Sequence, residues 1–282
     1  MRKINKQLVC QQFRRAAAAY EREAVIQHRV ADRLLALTAQ HAADKPLRVL
    51  EIGCCTGLLT RRLIKSDVFC IRQLLLNDLM PDFPDRLHPA VRAAAPIFLP
   101  GDIETVPLPG TFDLIISSST FHWLEDVDGL FAKLAAVLKP GGFLAFSLYG
   151  PDNLQEIRAL TGIGLEYFSL PQIEKMLRRY CTLEHSSQQR EIFSFPEPAD
   201  VLHHLRRTGV NAVDSTPWTR RQLRDFCRDY IRLFSCGGSV RLTYHPLYFA
   251  ARQGKQQASG PGDCSRKRRE ERKKILAAKK RT

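Results

Sequence analysis

The run Val49-Leu50-Glu51-Ile52-Gly53-Cys54-Cys55-Thr56-Gly57 constrains this chain more than any other stretch. A short apolar segment ends on small residues, and apolar positions at helical spacing resume at 58–64, so the run reads as a strand turning sharply into a helix. The alternation then continues. Residues 74–76 end at Asn77 and Asp78, residues 97–99 precede Gly101 and Asp102, and residues 112–117 lead into a Ser/Thr turn. Leu130, Phe131, Leu134, Val137 and Leu138 make an amphipathic helix stopped by Lys139-Pro140-Gly141-Gly142, and residues 143–148 form a fifth strand. Strands alternating with helices imply βαβ units, hence a doubly wound, mostly parallel α/β sheet with right-handed crossovers. Ligands of such sheets sit outside the carboxyl ends of the strands, where these small and acidic residues cluster.

The flanks complete the architecture. Residues 13–37 carry Val25, Val30, Leu34 and Leu37 at helical spacing and predict one or two helices, closed by 42–47 with its Asp44 and Pro46. Beyond Gly150 helices are expected at 152–160, 170–180, 199–207 and 220–234. Extended pieces at 190–195 and 242–251 are expected to add two strands to the far edge, making seven. Residues of about 196–237 would then be a helical insertion capping the active-site end. The reading is one domain over 1–253 followed by a basic tail over 254–282.

Charge and composition limit the function classes. The formal charge is +14, but from Gly254 to Thr282 eleven Lys or Arg face three acidic residues, so the tail holds +8 of it. That tail is expected to be disordered or a frayed helix without a role in catalysis. Nucleic-acid contact is expected only through it, because no aromatic-plus-basic module is visible elsewhere. No stretch of roughly 18 apolar residues exists to span a bilayer. The first residues form neither a secretory h-region nor a serine-rich transit peptide, so a cytoplasmic protein is expected. The eight cysteines are scattered, apart from adjacent Cys54 and Cys55, and none forms C-x-x-C. Free thiols and no metal site follow.

At the glycine turn a dinucleotide fingerprint would need glycine at positions 55 and 58, where Cys55 and Leu58 stand. Pyrophosphate binding is therefore poorly supported. The E-x-G-x-x-x-G arrangement resembles the first motif of class I S-adenosylmethionine-dependent methyltransferases, a Rossmann-like fold in which E-x-G-x-G-x-G is usual. The resemblance implies S-adenosylmethionine as cofactor, held by Glu51, Gly53, Cys55 and Gly57. Asp78, 21 residues past the turn with Leu79 beside it, is placed for the ribose hydroxyls. Asp102 is placed for the adenine amino group, Ile103 for packing on the ring, and Ser118 for the methionine part. Two outcomes are open at Cys55: its Cβ and sulfur crowd the cofactor or shift the backbone, or ordinary backbone angles turn the thiol into helix packing. The second is expected.

Further segments narrow the family. Phe13-Arg14-Arg15-Ala16-Ala17 with Tyr20, Ala24 and Gln27, then Thr120-Phe121-His122-Trp123-Leu124, then Phe146-Ser147-Leu148-Tyr149-Gly150-Pro151-Asp152-Asn153, are similar to the malonyl-acyl carrier protein methyltransferases of biotin synthesis. Leu205-Arg206-Arg207-Thr208-Gly209-Val210-Asn211-Ala212 carries the likeness into the insertion. Ser118 and His122 stand where that family often has Asn and Gln. The resemblance implies methyl transfer to the free carboxylate of a malonyl thioester, on the carrier protein or on coenzyme A. That carboxylate is already ionised at neutral pH, so positioning rather than a general base is expected. Tyr20 would close over the cofactor, and His122 and Trp123 would wall the pocket. Arg158 would hold the carboxylate, with Arg206 and Arg207 as the next candidates. Arg178, Arg179, Arg206, Arg207, Arg220, Arg221 and Arg224 would meet an acidic carrier. Other readings are a methyltransferase on another small carboxylate or RNA, and a partner subunit that kept the fold without catalysis.

Overall fold

A computed structural model describes residues 4–41, 47–209 and 218–254. The helical stretch before the sheet is two helices, α1 (Lys6–Glu23) and α2 (Val25–Ala39). Asn5 caps α1 by accepting from the Leu8 amide, and the chain breaks at Ala24, where one residue leaves helical geometry. The expected alternation follows: β1 (Leu47–Ile52), α3 (Leu58–Lys65), β2 (Ile71–Asp78), α4 (Pro89–Ala93), β3 (Ile97–Pro100), β4 (Phe112–Ser118), α5 (Val127–Val137) and β5 (Leu138–Tyr149). The Lys139–Gly142 stop is not past the helix but inside β5. Leu138 already pairs with Phe112, and the ladder shifts register before Leu114 meets Phe143.

After β5 come α6 (Gln155–Thr161), α7 (Leu170–Leu177), β6 (Cys181–Gln188), β7 (Glu191–Phe195), α8 (Pro198–Arg207), α9 (Arg220–Phe234), β8 (Ser235–Cys236), β9 (Ser239–Tyr244) and β10 (Pro246–Gln253). The main sheet has seven strands in the order β3-β2-β1-β4-β5-β10-β6. β1 to β5 pair in parallel, and β10 runs antiparallel to both neighbours. The strand order reverses between β1 and β4, so a crevice opens where Gly53 and Ser118 emerge side by side.

The seventh strand is not the one expected. Within the expected piece 190–195, Glu191–Phe195 forms β7 of a separate three-stranded sheet, β7-β9-β8, and β6 takes the edge of the main sheet. Its sequence, Cys-Thr-Leu-Glu-His-Ser-Ser-Gln, is half-buried and mostly polar, so no apolar run announces it. The extended piece at 242–251 also divides. Its first half belongs to β9 of the small sheet and its second to β10 of the large one, with buried His245 at the junction.

Strand alternation sorts the core onto two faces. Val49, Leu74, Leu76, Leu114, Ile116, Phe143 and Ala145 join α2 and α3 on one face, while Leu50, Ile52, Leu75, Ile115, Leu144 and Phe146 join α5 and α7 on the other. The first cluster runs on without a break through Tyr20, Val201, Leu205, Phe226, Tyr230 and Tyr244. The helices α8 and α9 and the small sheet are thereby packed onto the same apolar body, with α1 lying against α8.

Candidate active site

The turn after β1 is held from below by β2. The Gly53 and Cys54 amides donate to the Asn77 carbonyl at 2.8 and 3.1 Å, and the Cys55 amide donates to Asp78 Oδ2 at 2.8 Å. Gly53 has φ +71, and a Cβ there would collide with the Thr120 side chain. Gly57, with φ +85, starts α3 and faces Leu87 and Val91. It serves the turn and does not line the crevice. Cys55 departs from expectation in its backbone, whose φ is +49, in the left-handed region, while its side chain does pack against the core that α2 and α3 share, as expected, and the residue lines the crevice. The Asp78 carboxylate captures the Cys55 amide in the conformation a glycine would adopt freely, against roughly 1–2 kcal/mol of local strain.

The crevice encloses about 730 Å3, partly open to solvent. Of the residues singled out in the sequence, Tyr20, Gly53, Cys55, Asp78, Leu79, Asp102, Ile103, Ser118 and Trp123 line it together. Buried Asp78 holds the Cys55 and Met80 amides, and burial pushes its carboxyl above the usual range against those bonds. Asp102 accepts from the Glu104 amide through Oδ1 and from Lys6 of α1 at 2.5 Å through Oδ2. Ile103 is buried, with its carbonyl taken by Lys133 at 2.7 Å. Ser118 ends β4, and Thr120 Oγ1 reaches back to its carbonyl at 3.2 Å. The set fits an adenosyl group bearing an amino acid: a carboxylate at the β2 end, a second carboxylate beside an apolar shelf, and a glycine turn without a Cβ in the way.

Helix α1 supplies more of the wall than Tyr20, the one residue of it expected at the cofactor. Lys6, Val9, Cys10 and Phe13 line the crevice, at the i, i+3, i+4, i+7 spacing of one helix face, and that spacing was the available signal. Phe13 meets Trp123 edge-on at 5.9 Å and Tyr20 at 6.2 Å. The helix is tied down by Lys6 on Asp102 and Glu104 and by the Arg14 fork on Asp82.

Glu51, His122 and Arg158 stand outside the crevice lining. Glu51 faces the side of the sheet covered by α2 and α3, and burial first, then nearby Asp78, push its carboxyl up to about 8 against the opposing pull of Thr60. His122 and Arg158 meet in a second, adjoining group. The His122 ring lies 5.0 Å from Tyr149 and 6.2 Å from Tyr167, and the Arg158 guanidinium lies 5.4 Å over the Tyr167 ring. Burial alone holds the His122 imidazole down to about 3, so it stays neutral at neutral pH. Arg158 donates to the Pro151 carbonyl, leaves Nε buried without a partner, and makes no ion pair among the described residues. Of the other arginines weighed for the acceptor, Arg207 is held by Glu23 at 2.6 Å and Arg206 is exposed. The Val210-Asn211-Ala212 part of the insertion motif lies outside the described residues.

A parallel sheet reversing at β1/β4, a glycine turn there and carboxylates at the next two strand ends define an S-adenosylmethionine-dependent methyltransferase. A family profile described as a methyltransferase domain matches residues 50–146. The chain is 35% identical over 262 residues to a malonyl-[acyl-carrier protein] O-methyltransferase of Bacteroides thetaiotaomicron, covering 89% of this chain and 100% of that one. It is 38% identical to the protein of the same name from Prosthecochloris aestuarii, over 94% of this chain and all of that one. This chain belongs to the malonyl-[acyl-carrier protein] O-methyltransferase family. Among solved structures, a protein of Bacillus halodurans C-125 shares the fold with a TM-score of 0.58 at 16% identity, covering 79% of this chain and 97% of that one. A protein solved in complex with the Haloferax volcanii Trm112 methyltransferase activator gives 0.59 at 17% identity, covering 88% and 99%.

Proposed function

We propose that this protein methylates the free carboxylate of a malonyl thioester carried by acyl carrier protein or coenzyme A, making the ester that primes pimeloyl synthesis for biotin. S-adenosylmethionine supplies the electrophilic methyl group, whose bond to sulfur breaks as the bond to carboxylate oxygen forms. Gly53, Cys55, Asp78, Leu79, Asp102, Ile103 and Ser118 would hold it, with Tyr20 and Trp123 closing the cleft from the side of α1. The carboxylate arrives ionised, so the protein need not remove a proton. Neutral His122 fits that requirement, since it is neither a base of useful strength nor a second charge. Positioning and exclusion of water can supply roughly 7–11 kcal/mol of barrier lowering.

The observation that carries this reading is Arg158, a cation beside the cleft with a buried, unpaired Nε and no carboxylate partner among the described residues. An anionic acceptor would complete it. The test is methyl transfer to malonyl-carrier protein by wild type and Arg158→Ala. The variant should lose roughly 10²-fold in kcat/KM, in line with the 2–5 kcal/mol that follows removal of one partner of a buried charge pair. S-adenosylhomocysteine affinity should stay within two-fold. No transfer by wild type, or an unaffected variant, would reject the assignment.

A further inference from the structure

Four buried polar atoms without a hydrogen-bond partner belong to one chain of neighbours beside the cleft: Ser119 Oγ, Tyr149 Oη, His122 Nδ1 and, across the Tyr167 ring, Arg158 Nε. Tyr149 and His122 are almost wholly buried, and their rings touch edge to face at 5.0 Å. Ser119 follows the end of β4, lines the cleft, and is held in a left-handed conformation, φ +56, by its amide on the Ser147 carbonyl and hydroxyl of β5. Its hydroxyl and that of Tyr149 approach each other without closing a regular hydrogen bond. Tyr20, which also lines the cleft, lies within electrostatic reach of the Tyr149 hydroxyl, so the group adjoins the cleft rather than lying behind it.

Groups of this kind are rarely left unpaired in a folded protein, and several gathered at one place mark a ligand's position. A carboxylate has about four acceptor directions and no donor, and two hydroxyls, an imidazole N–H and a guanidinium N–H are donors that suit it. We propose that Tyr149 and Ser119, with His122 as its Nδ1–H tautomer, form the neutral side of the acceptor carboxylate site facing Arg158. Tyr149 holds the oxygen that is not methylated, so that the other oxygen presents itself to the methyl group. This inference rests on the malonyl reading above and deepens it. It makes Tyr149 and Ser119 the residues that tell a carboxylate-bearing thioester from one ending in a methyl group.

The test is calorimetric binding of malonyl-CoA and acetyl-CoA, each with saturating S-adenosylhomocysteine, to wild type, Tyr149→Phe and Ser119→Ala. Tyr149→Phe should weaken malonyl-CoA about ten-fold and Ser119→Ala by about three- to five-fold, with acetyl-CoA and S-adenosylhomocysteine changed less than two-fold. Ser119→Ala removes one oxygen at the cleft wall and provides the measurement should Tyr149→Phe fail to fold. Equal weakening of both thioesters would mean a structural role and overturn the proposal. No change in either would mean that water alone satisfies these groups, and would overturn it equally. Wild type that methylates malonyl-CoA while both variants keep full discrimination sinks this inference alone. Wild type that methylates no malonyl thioester sinks the functional reading beneath it.

Discussion

Cys55 occupies a position on the crevice lining where the backbone takes a positive φ while the side chain packs against the core. Cys55→Gly should therefore stabilise the protein by about 1 kcal/mol or less, since relief of left-handed strain is partly offset by the entropy glycine loses on folding. Thermal unfolding measures it, and Cys55→Ala, which keeps the Cβ, should show no gain. Glu51 gives a second expectation. Its folded carboxyl titrates near 8 against an ordinary value of 4.5, so the folded state holds the proton more tightly. Its contribution to stability is greatest below pH 4.5 and is lost as pH rises towards 8. Glu51→Gln should thus raise Tm at pH 8 by roughly 2–4 °C per kcal/mol relieved and change little at pH 4.5. His122 shifts the other way, to about 3, so kcat/KM for the malonyl thioester should show no titration of this imidazole near pH 6.5. The residues that line the crevice at the strand ends were legible because small and acidic residues there have few structural reasons to recur in that order. The left-handed angle at Cys55 was not legible, because it follows from the grip of Asp78 on the Cys55 amide, a contact between residues 23 apart in the chain.

Helix α1 closes one side of the cleft and is secured by ion pairs at its first residue and near its middle, Lys6 to Asp102 and Glu104 and Arg14 to Asp82. Such pairs are worth up to about 1 kcal/mol each and weaken with salt. Lys6→Ala and Arg14→Ala should each weaken S-adenosylhomocysteine binding two- to five-fold, and higher ionic strength should shrink the difference from wild type, as calorimetry would show. Helix α9 presents Arg220, Arg224, Arg228 and Arg232 at four-residue intervals beside exposed Leu223 and Ile231. Asp225 and Asp229 neutralise Arg228 and Arg232, leaving Arg220 and Arg224 without an ion pair among the described residues. If these two meet an acidic carrier, Arg220→Glu with Arg224→Glu should raise KM for malonyl-carrier protein several-fold and leave malonyl-CoA unaffected. Helix α9 was visible in the sequence because its buried positions keep strict helical spacing. The edge strand β6 was not, because half of its side chains face solvent and polar residues serve there as well as apolar ones.

The main sheet and the helices over it share one continuous apolar cluster with α8, α9 and the small sheet, so the cap is anchored to the body by packing as well as by chain connection. No helix among the described residues is long and apolar enough to cross a membrane, and no cluster of side chains there could hold a metal ion. Removing residues 255–282, which carry +8 of the net charge of +14, should leave methyl transfer unchanged, as an assay of the shortened chain would establish. The doubly wound class, the five parallel strands and the chemistry at their carboxyl ends were readable in one dimension, because apolar periodicity and turn residues are local properties. Which strand takes the edge, how the 242–251 piece serves two sheets, and the convergence of Ser119, His122, Tyr149 and Arg158 depend on pairings between distant segments. A side chain's hydrogen-bond partners, or its lack of them, exist only once those segments have packed, so the unpaired group beside the crevice belongs to the fold, while the strand-end residues that line the crevice were already written along the chain.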